Sequence, residues 1–332
     1  MVNPAQALRS KNSAAETSAL KTALLAKGAF TDLETLLTLR HVAADLKLWP
    51  LKPSLATQAG STRTRFRGRG MEFEEVRVYQ PGDDIRTIDW RVTARTQVPH
   101  TKLFREERER PTLIVFDQRS SLFFGSQRCF KSVLAAHIGV LIAWASLQHS
   151  DRVGGLVFGD THHQDVRPQK SKHAVLELVK VINQFNHQLK SPDKNTGDQS
   201  ISLSQLLEDT RRLAKPGTAV YIISDFQDLL TETKNDISKQ LYLLARHCEV
   251  TLFQVFDPLE RRIDTPGFFT VSDGNRRAQI KGDDKHLNDS LQAQFDNVIN
   301  TLKHITGPLR INHAMFSTAD DELQQLRQIF RK

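Results

Sequence analysis

From Thr112 onward the chain alternates between short apolar runs and longer stretches with helical spacing. The apolar runs are Thr112–Phe116, Val153–Phe158, Ala219–Ile223, Val250–Phe256 and Leu309–Phe316. They are rich in branched and aromatic residues and bounded by turn formers, which predicts buried strands. Between and after them, Phe130–Gln148, Lys172–Leu189, Ser202–Leu213, Asp236–His247 and Asp284–Ile305 predict helices, with Ser202 as an N-cap. Thr318-Ala-Asp-Asp321 reads as a capping box for a closing helix that runs to Phe330. Phe268–Val271 and Arg276–Ile280 predict a hairpin turned at Asp273-Gly274. Asp193–Ser200 and the stretch after Asp160, beginning Thr161-His162-His163, read as polar loops. Strands separated by helices of this length imply right-handed crossovers. The expected class is therefore α/β: a doubly wound, mainly parallel sheet with helices on both faces.

Ahead of Thr112 the pattern weakens. Residues 1–27 predict a disordered or loosely helical arm. Thr31–Leu48 spaces leucines at 33, 36, 37, 39, 46 and 48, an amphipathic helix with Thr31 as N-cap and Glu34 three residues on. Pro50 and Pro53 end it. Leu55–Gly70 has no periodicity and reads as a flexible connection. The expected division is an N-terminal arm over 1–60, a charged segment of loops and short strands over 61–111 packed on the main domain, and the α/β domain over 112–332. One stretch, Ser132–Ser150, lacks Lys, Arg, Asp and Glu and is long enough to raise the question of a membrane span. His137, Gln148 and His149 interrupt it, and its unbroken apolar core is only Ile138–Ala145, so a buried helix is expected.

Composition narrows the class further. The chain has 332 residues, 39% hydrophobic and 25% charged, which is ordinary for a globular protein. The net charge of +8 is spread along the chain, and Met71–Arg110 balances nine acids against eight Lys and Arg. Only Arg63, Arg65, Arg67 and Arg69 form a cluster of one sign. That cluster suits contact with a protein partner, and no nucleic acid is expected. Cys129 and Cys248 stand in unrelated contexts and read as buried thiols of a reducing compartment. The N-terminus lacks the apolar core of a signal peptide, so a cytoplasmic location is expected.

Candidate chemistry gathers where predicted strands end. Asp117, Asp160, Asp225 and Asp257 each follow one. In a parallel sheet these acids share an edge and repel one another unless a divalent cation or a basic side chain compensates. Asp is also a common loop starter and helix cap, so spacing alone leaves both readings open. There is no Gly-x-Ser-x-Gly elbow, no His-Glu-x-x-His and no Walker loop around Gly154-Gly155. His162 and His163 are adjacent, which would not direct both rings to one metal in regular structure. A Mg²⁺-dependent phosphoryl-transfer or hydrolase domain is the enzymatic alternative. It would want an acid where Arg119 stands.

The stretch YQPGDDIRTIDWRVTARTQVPHTKLFREERE, with the later DQRSS, SDRVGGLVFGD and IISDFQD, resembles domain-of-unknown-function family 58, which carries a von Willebrand factor A-like domain. The resemblance covers about residues 64–280. Its most specific part holds Tyr79, Gly82, Asp83, Asp84, Arg86, Asp89 and Trp90. Pro81 to Asp84 reads as a turn, Trp90 as core, and Arg86, Asp89, Arg91 and Arg95 as a structural ion-pair network. The resemblance implies a Mg²⁺ adhesion site with Asp117 in first place, Ser121 as a serine ligand and Asp225 as the acid of a third loop. Its threonine has no better match than Thr161 or Ser171. Arg119 stands where a first serine ligand belongs, with Ser120 beside it. A guanidinium cannot ligate a cation, so the site is expected to be degenerate, with an internal salt bridge in place of the ion. The resemblance further implies a non-enzymatic bacterial interaction protein. Its implied partner is a MoxR-type AAA+ ATPase, which would complete the metal shell with an acid or pair that acid with Arg119.

Overall fold

The computed structural model describes residues 25–44, 46, 48, 71–106, 111–189, 201–272 and 277–330. Arg65, Arg67 and Arg69, the 193–200 loop and the Asp273-Gly274 turn lie outside these described residues. The chain divides into two compact units, one of residues 57–110 and one of residues 1–56 with 111–332.

Among its described residues the larger unit opens with two short helices, α1 (Leu33–Thr38) and α2 (Arg40–Ala43). Asp32 caps α1, not Thr31. Asn186 and Asn183 draw the Thr31 backbone N–H and hydroxyl away at 2.7 and 2.8 Å.

The smaller unit is an antiparallel hairpin of β1 (Met71–Val78) and β2 (His100–Glu106), with α3 (Trp90–Thr96) in the connection. Gly82 sits at φ 99° in the turn that follows β1, a backbone conformation that favours glycine. Asp83 accepts from the Gln80 N–H and pairs with Arg77 at 2.8 Å. Asp89 caps α3 and pairs with Lys102 at 3.4 Å. The carboxylates thus pair with basic side chains of the two strands, rather than building the expected network with Arg86, Arg91 and Arg95. Trp90, expected as core, opens α3 and is 68% exposed.

In the larger unit the chain runs β3 (Pro111–Asp117), α4 (Lys131–Gln148), β4 (Arg152–Phe158), β5 (His163–Gln169), α5 (Lys172–Gln188), α6 (Leu203–Leu213), β6 (Ala219–Ser224), α7 (Lys234–Ala245) and β7 (Glu249–Phe256). It ends with α8 (Pro258–Arg261), the hairpin β8 (Phe268–Ser272) and β9 (Arg277–Lys281), then α9 (Lys285–Leu309), β10 (Asn312–Ser317) and α10 (Glu322–Ile329). The main sheet has the order β10-β7-β6-β3-β4-β5. Its first five strands are parallel and β5 alone is antiparallel.

Three further elements differ from the pattern expected of the sequence. β5 forms where a loop was expected. It is a polar edge strand with only Val166 buried, so it lacks the apolar run that marks inner strands. Its close approach depends on Gly154, where a Cβ would meet the Val166 carbonyl oxygen at 2.5 Å. α9 continues through Pro308, and β10 starts at Asn312 instead of Leu309, after Arg310 turns the chain in a left-handed conformation. Asp321, not Thr318, caps α10.

Apolar cores cover both faces of the sheet. One joins α1, α2, α4, α5 and α10, and the other joins α6, α7 and α9. α4 is long and apolar enough to cross a membrane, yet 89% of that span is buried within the protein. It lies so close to β3 that a Cβ on Gly139 would stand 2.0 Å from the Phe116 ring. The start of α4 lies at the C-terminal end of β6, where Lys131 meets Asp225.

Candidate functional site at the carboxyl edge of the sheet

The chain leaves β3 toward β4 on one side and returns to β6 on the other. β3 and β6 are hydrogen-bonded neighbours, so their carboxyl ends flank the point where the winding reverses. Open α/β sheets place ligands at such points. Asp117 ends β3, and Ser224-Asp225 ends β6. The Ser224 hydroxyl donates to Asp117 Oδ2 at 2.6 Å, which joins the two ends directly.

Asp117 is fully buried and Arg119 is 5% exposed. The guanidinium grips Asp117 in bidentate fashion, Nε to Oδ1 at 2.9 Å and Nη2 to Oδ2 at 2.7 Å. Its other donors reach both oxygens of Asp228 at 2.9 and 2.8 Å and the Ile201 carbonyl at 2.9 Å. All five N–H groups of the guanidinium are therefore engaged. Burial drives the Asp117 carboxyl upward, but the Arg119 charge outweighs it and holds its pKa below the ordinary range. Asp228 goes the other way: burial raises its pKa against the same guanidinium.

A second buried cation lies beside the first. Lys131, the first residue of α4, is 1% exposed and donates to Asp225 Oδ2 at 2.9 Å and Glu260 Oε1 at 2.5 Å. Burial favours its neutral form, but the two carboxylates prevail and its pKa is raised. Burial raises the pKa of Glu260. Gln227 donates to the same Glu260 oxygen at 2.6 Å.

The outer strand ends are bound in the same way. Asp160 accepts from the Ser120 N–H and hydroxyl at 2.9 and 3.1 Å. Asp257 accepts from the Ser126 N–H and hydroxyl at 2.8 and 2.5 Å, and from the Thr318 hydroxyl at 2.6 Å. Asp257 and Glu260 also form the capping box of α8. One stretch, from Arg119 to Lys131, thus supplies a partner to all four strand-end acids. Ser121 is exposed, and Ser171 is spent on capping α5. Among the described residues no group of three or more His, Cys, Asp or Glu side chains is placed to hold a metal ion.

Beside this belt runs an apolar groove of about 770 Å³. Ser121, Asp225, Gln227 and Glu260 are among its polar lining residues. Its walls come from the β8–β9 hairpin, from α8 and from the first half of α9, with Phe269, Leu287, Leu291 and Phe295.

The sequence placed Asp117, Arg119 and Asp225 at this edge but missed Lys131, Asp228 and Glu260. Lys131 carried one signal. A lysine in the first turn opposes the helix dipole, and α4 has no acid there to offset it.

The model of the family described as "Protein of unknown function DUF58" matches residues 75–300. Three curated mycobacterial proteins, the uncharacterized Mb1516 of Mycobacterium bovis and the uncharacterized MT1527 and Rv1480 of Mycobacterium tuberculosis, are each 32% identical over 209 residues. That match covers 62% of this chain and 61% of theirs, so the chain spans about three fifths of the length of these relatives. Among solved structures, a von Willebrand factor type A protein from Catenulispora acidiphila is 12% identical with a TM-score of 0.37, over 70% of this chain and 44% of that one. An aerotolerance-related membrane protein from Bacteroides fragilis is 14% identical with a TM-score of 0.31, over 60% of this chain and 98% of that one.

Proposed function

Because the chain belongs to the DUF58 family, a von Willebrand A-like family of unknown function, we propose that it is a non-enzymatic adaptor that binds other proteins. In this reading it acts in the cytoplasm with a MoxR-type AAA+ ATPase, in the remodelling or maturation of client proteins. The observation that carries the reading is the state of the carboxyl edge. Its acids are tied into the fold, while an open apolar groove lies beside them. Asp117, the acid a phosphohydrolase would need, has both oxygens held by Arg119 and Ser224. A nucleophile or general base needs a free lone pair within reach of substrate.

The donor set does not suit Mg²⁺ either. The ion prefers octahedral oxygen ligands with several waters, and both candidate carboxylates are already turned onto buried cations. Arg119 and Lys131 take the compensating role of the ion in this reading. Arg119 has no donor left for a partner's acid.

The test is affinity capture with the full chain as bait in native extract, with and without ATP and Mg²⁺. Recovery of an AAA+ ATPase that co-elutes with the purified chain is expected. Its absence under every condition would overturn the adaptor reading. So would hydrolysis of an aryl phosphate that is lost in Asp117→Asn.

A further inference from the structure

The groove beside the belt has a one-sided charge. Among its lining residues Asp225 and Glu260 are charged and acidic, and none is Lys, Arg or His, in a chain that carries 46 Lys and Arg. The two carboxylates share the single ammonium of Lys131, which leaves one formal negative charge in the groove's lining. Behind them Asp257 is held by neutral donors, the hydroxyls of Ser126 and Thr318 and backbone N–H groups. Buried carboxylates without a full counter-charge gain from a cation brought close in a poorly hydrated site. The pKa of Glu260, raised by burial, is consistent with that shortage of positive charge.

The walls set the rest of the ligand's chemistry. Phe269, Leu287, Leu291 and Phe295 give apolar surface from two elements outside the main sheet. A space of about 770 Å³ holds a few side chains, not a whole domain.

We propose that this groove binds a short apolar segment of a partner protein that presents a lysine or arginine to the half-buried Glu260, with the negative charge of the buried Asp225 beside it. This rests on the adaptor reading and names the chemistry of its partner. It reverses the recognition implied by the family resemblance, in which a bound cation attracts an acid. Here the resident cations are consumed internally, and the edge attracts a base.

The experiment is selection of random 12-residue peptides displayed on phage against the full chain in EDTA, counter-selected on Leu291→Glu. Circular dichroism first shows that the variant is folded. Enriched peptides are expected to carry Lys or Arg beside Leu, Ile or Phe, at least about tenfold over the input library. A synthetic enriched peptide is expected to bind about tenfold more weakly to Glu260→Gln, and about tenfold more weakly when its basic residue becomes Glu. Enrichment of acidic peptides, or the absence of any peptide class that Leu291→Glu removes, would overturn the proposal. Either failure leaves capture of the AAA+ ATPase as a separate measurement. Loss of that capture, with basic peptides still selected, would sink the adaptor reading while the groove stood.

Discussion

Lys131 Nζ lies 2.9 Å from Asp225 Oδ2, with both side chains only 1% exposed. The pair ties the start of α4 to the end of β6, and Glu260 extends it to α8. Removing one member of a buried ion pair strands the other. Lys131→Ala, which strands two carboxylates, is expected to lower the unfolding free energy by about 3–5 kcal/mol in urea titration. Lys131→Met combined with Asp225→Asn and Glu260→Gln removes the charges together and is expected to cost clearly less. Equal losses in the two variants would mean that packing of the lysine stem, not charge, carries the effect.

Why Lys131 escaped sequence reading follows from what periodicity can report. The strands at 112–116, 219–223 and 250–256 are apolar because they are buried on both faces, so burial wrote them into the sequence. β5 is an edge strand with one buried residue, and its polar sequence looks like a loop. Thr318 matched a local capping rule, yet its hydroxyl bonds Asp257, 61 residues away. The strand-end acids were legible because each follows an apolar run. Their partners were not. Lys131 meets Asp225 across 94 residues and Arg119 meets Asp228 across 109, and spacing along the chain does not encode such distances.

Two glycines of helices should respond to alanine very differently. At Gly139 a new Cβ would stand 2.0 Å from Phe116 Cε1, and the Phe116 ring is fully buried. Gly139→Ala is expected to cost at least about 1–3 kcal/mol. Gly307, inside α9, has no atom of another part of the fold within 4 Å of such a Cβ, but it directly precedes Pro308. In Gly307→Ala the freedom lost by the unfolded chain is offset by the crowding of a Cβ against the following proline ring, so a change within about 0.5 kcal/mol is expected. Thermal unfolding of the two variants side by side checks the contrast.

Glu322 gives the fold an acid-sensitive clasp. It accepts from the Ala26 N–H at 2.6 Å and from Arg128 at 2.7 Å, with His137 Nδ1 at 3.5 Å. Burial raises its pKa, but His137 and Arg128 outweigh burial and bring it down from 4.5 to about 2. A depressed carboxyl stabilises the fold above its unfolded pKa and loses that contribution as pH falls through the folded value. The contribution is on the order of 3 kcal/mol, present at neutral pH and lost between about 4.5 and about 2. Glu322→Gln is expected to unfold more readily at pH 7 and to show a flatter acid limb in urea midpoints. An unchanged acid limb would remove Glu322 from this role.

Arg119 should show the reverse pH dependence once it is removed. In the parent chain the guanidinium holds the Asp117 pKa down, so their pairing stabilises the fold at neutral pH and weakens in acid. In Arg119→Gln burial acts on Asp117 and Asp228 without that charge, and their folded pKa values rise. Carboxyls of raised pKa stabilise the fold as they take up protons. The variant is therefore expected to lose about 3–5 kcal/mol at pH 8 and to recover part of it as pH falls toward 5. A loss that stays constant over this range would mean that the guanidinium acts by shape alone.

The same substitution bears on the metal. A ligand present at a hundred times its Kd adds about 2.7 kcal/mol to stability, and 1 kcal/mol shifts the Tm of a domain of this size by about 1.5–2 °C. A resident Mg²⁺ site of about 50 µM would thus raise the Tm by roughly 4–5 °C in 5 mM Mg²⁺. The parent chain is expected to move by less than about 1 °C, since Arg119 and Lys131 already occupy the oxygens of Asp117 and Asp225 that the ion would need. Arg119→Ser frees both oxygens of Asp117 from the guanidinium and leaves Asp228 unpaired beside them. Its Tm is expected to fall and then to rise again with added Mg²⁺. A parent chain that gains several degrees in Mg²⁺ and loses the gain in Asp117→Asn would show that the ion is retained and that Arg119 swings aside to admit it.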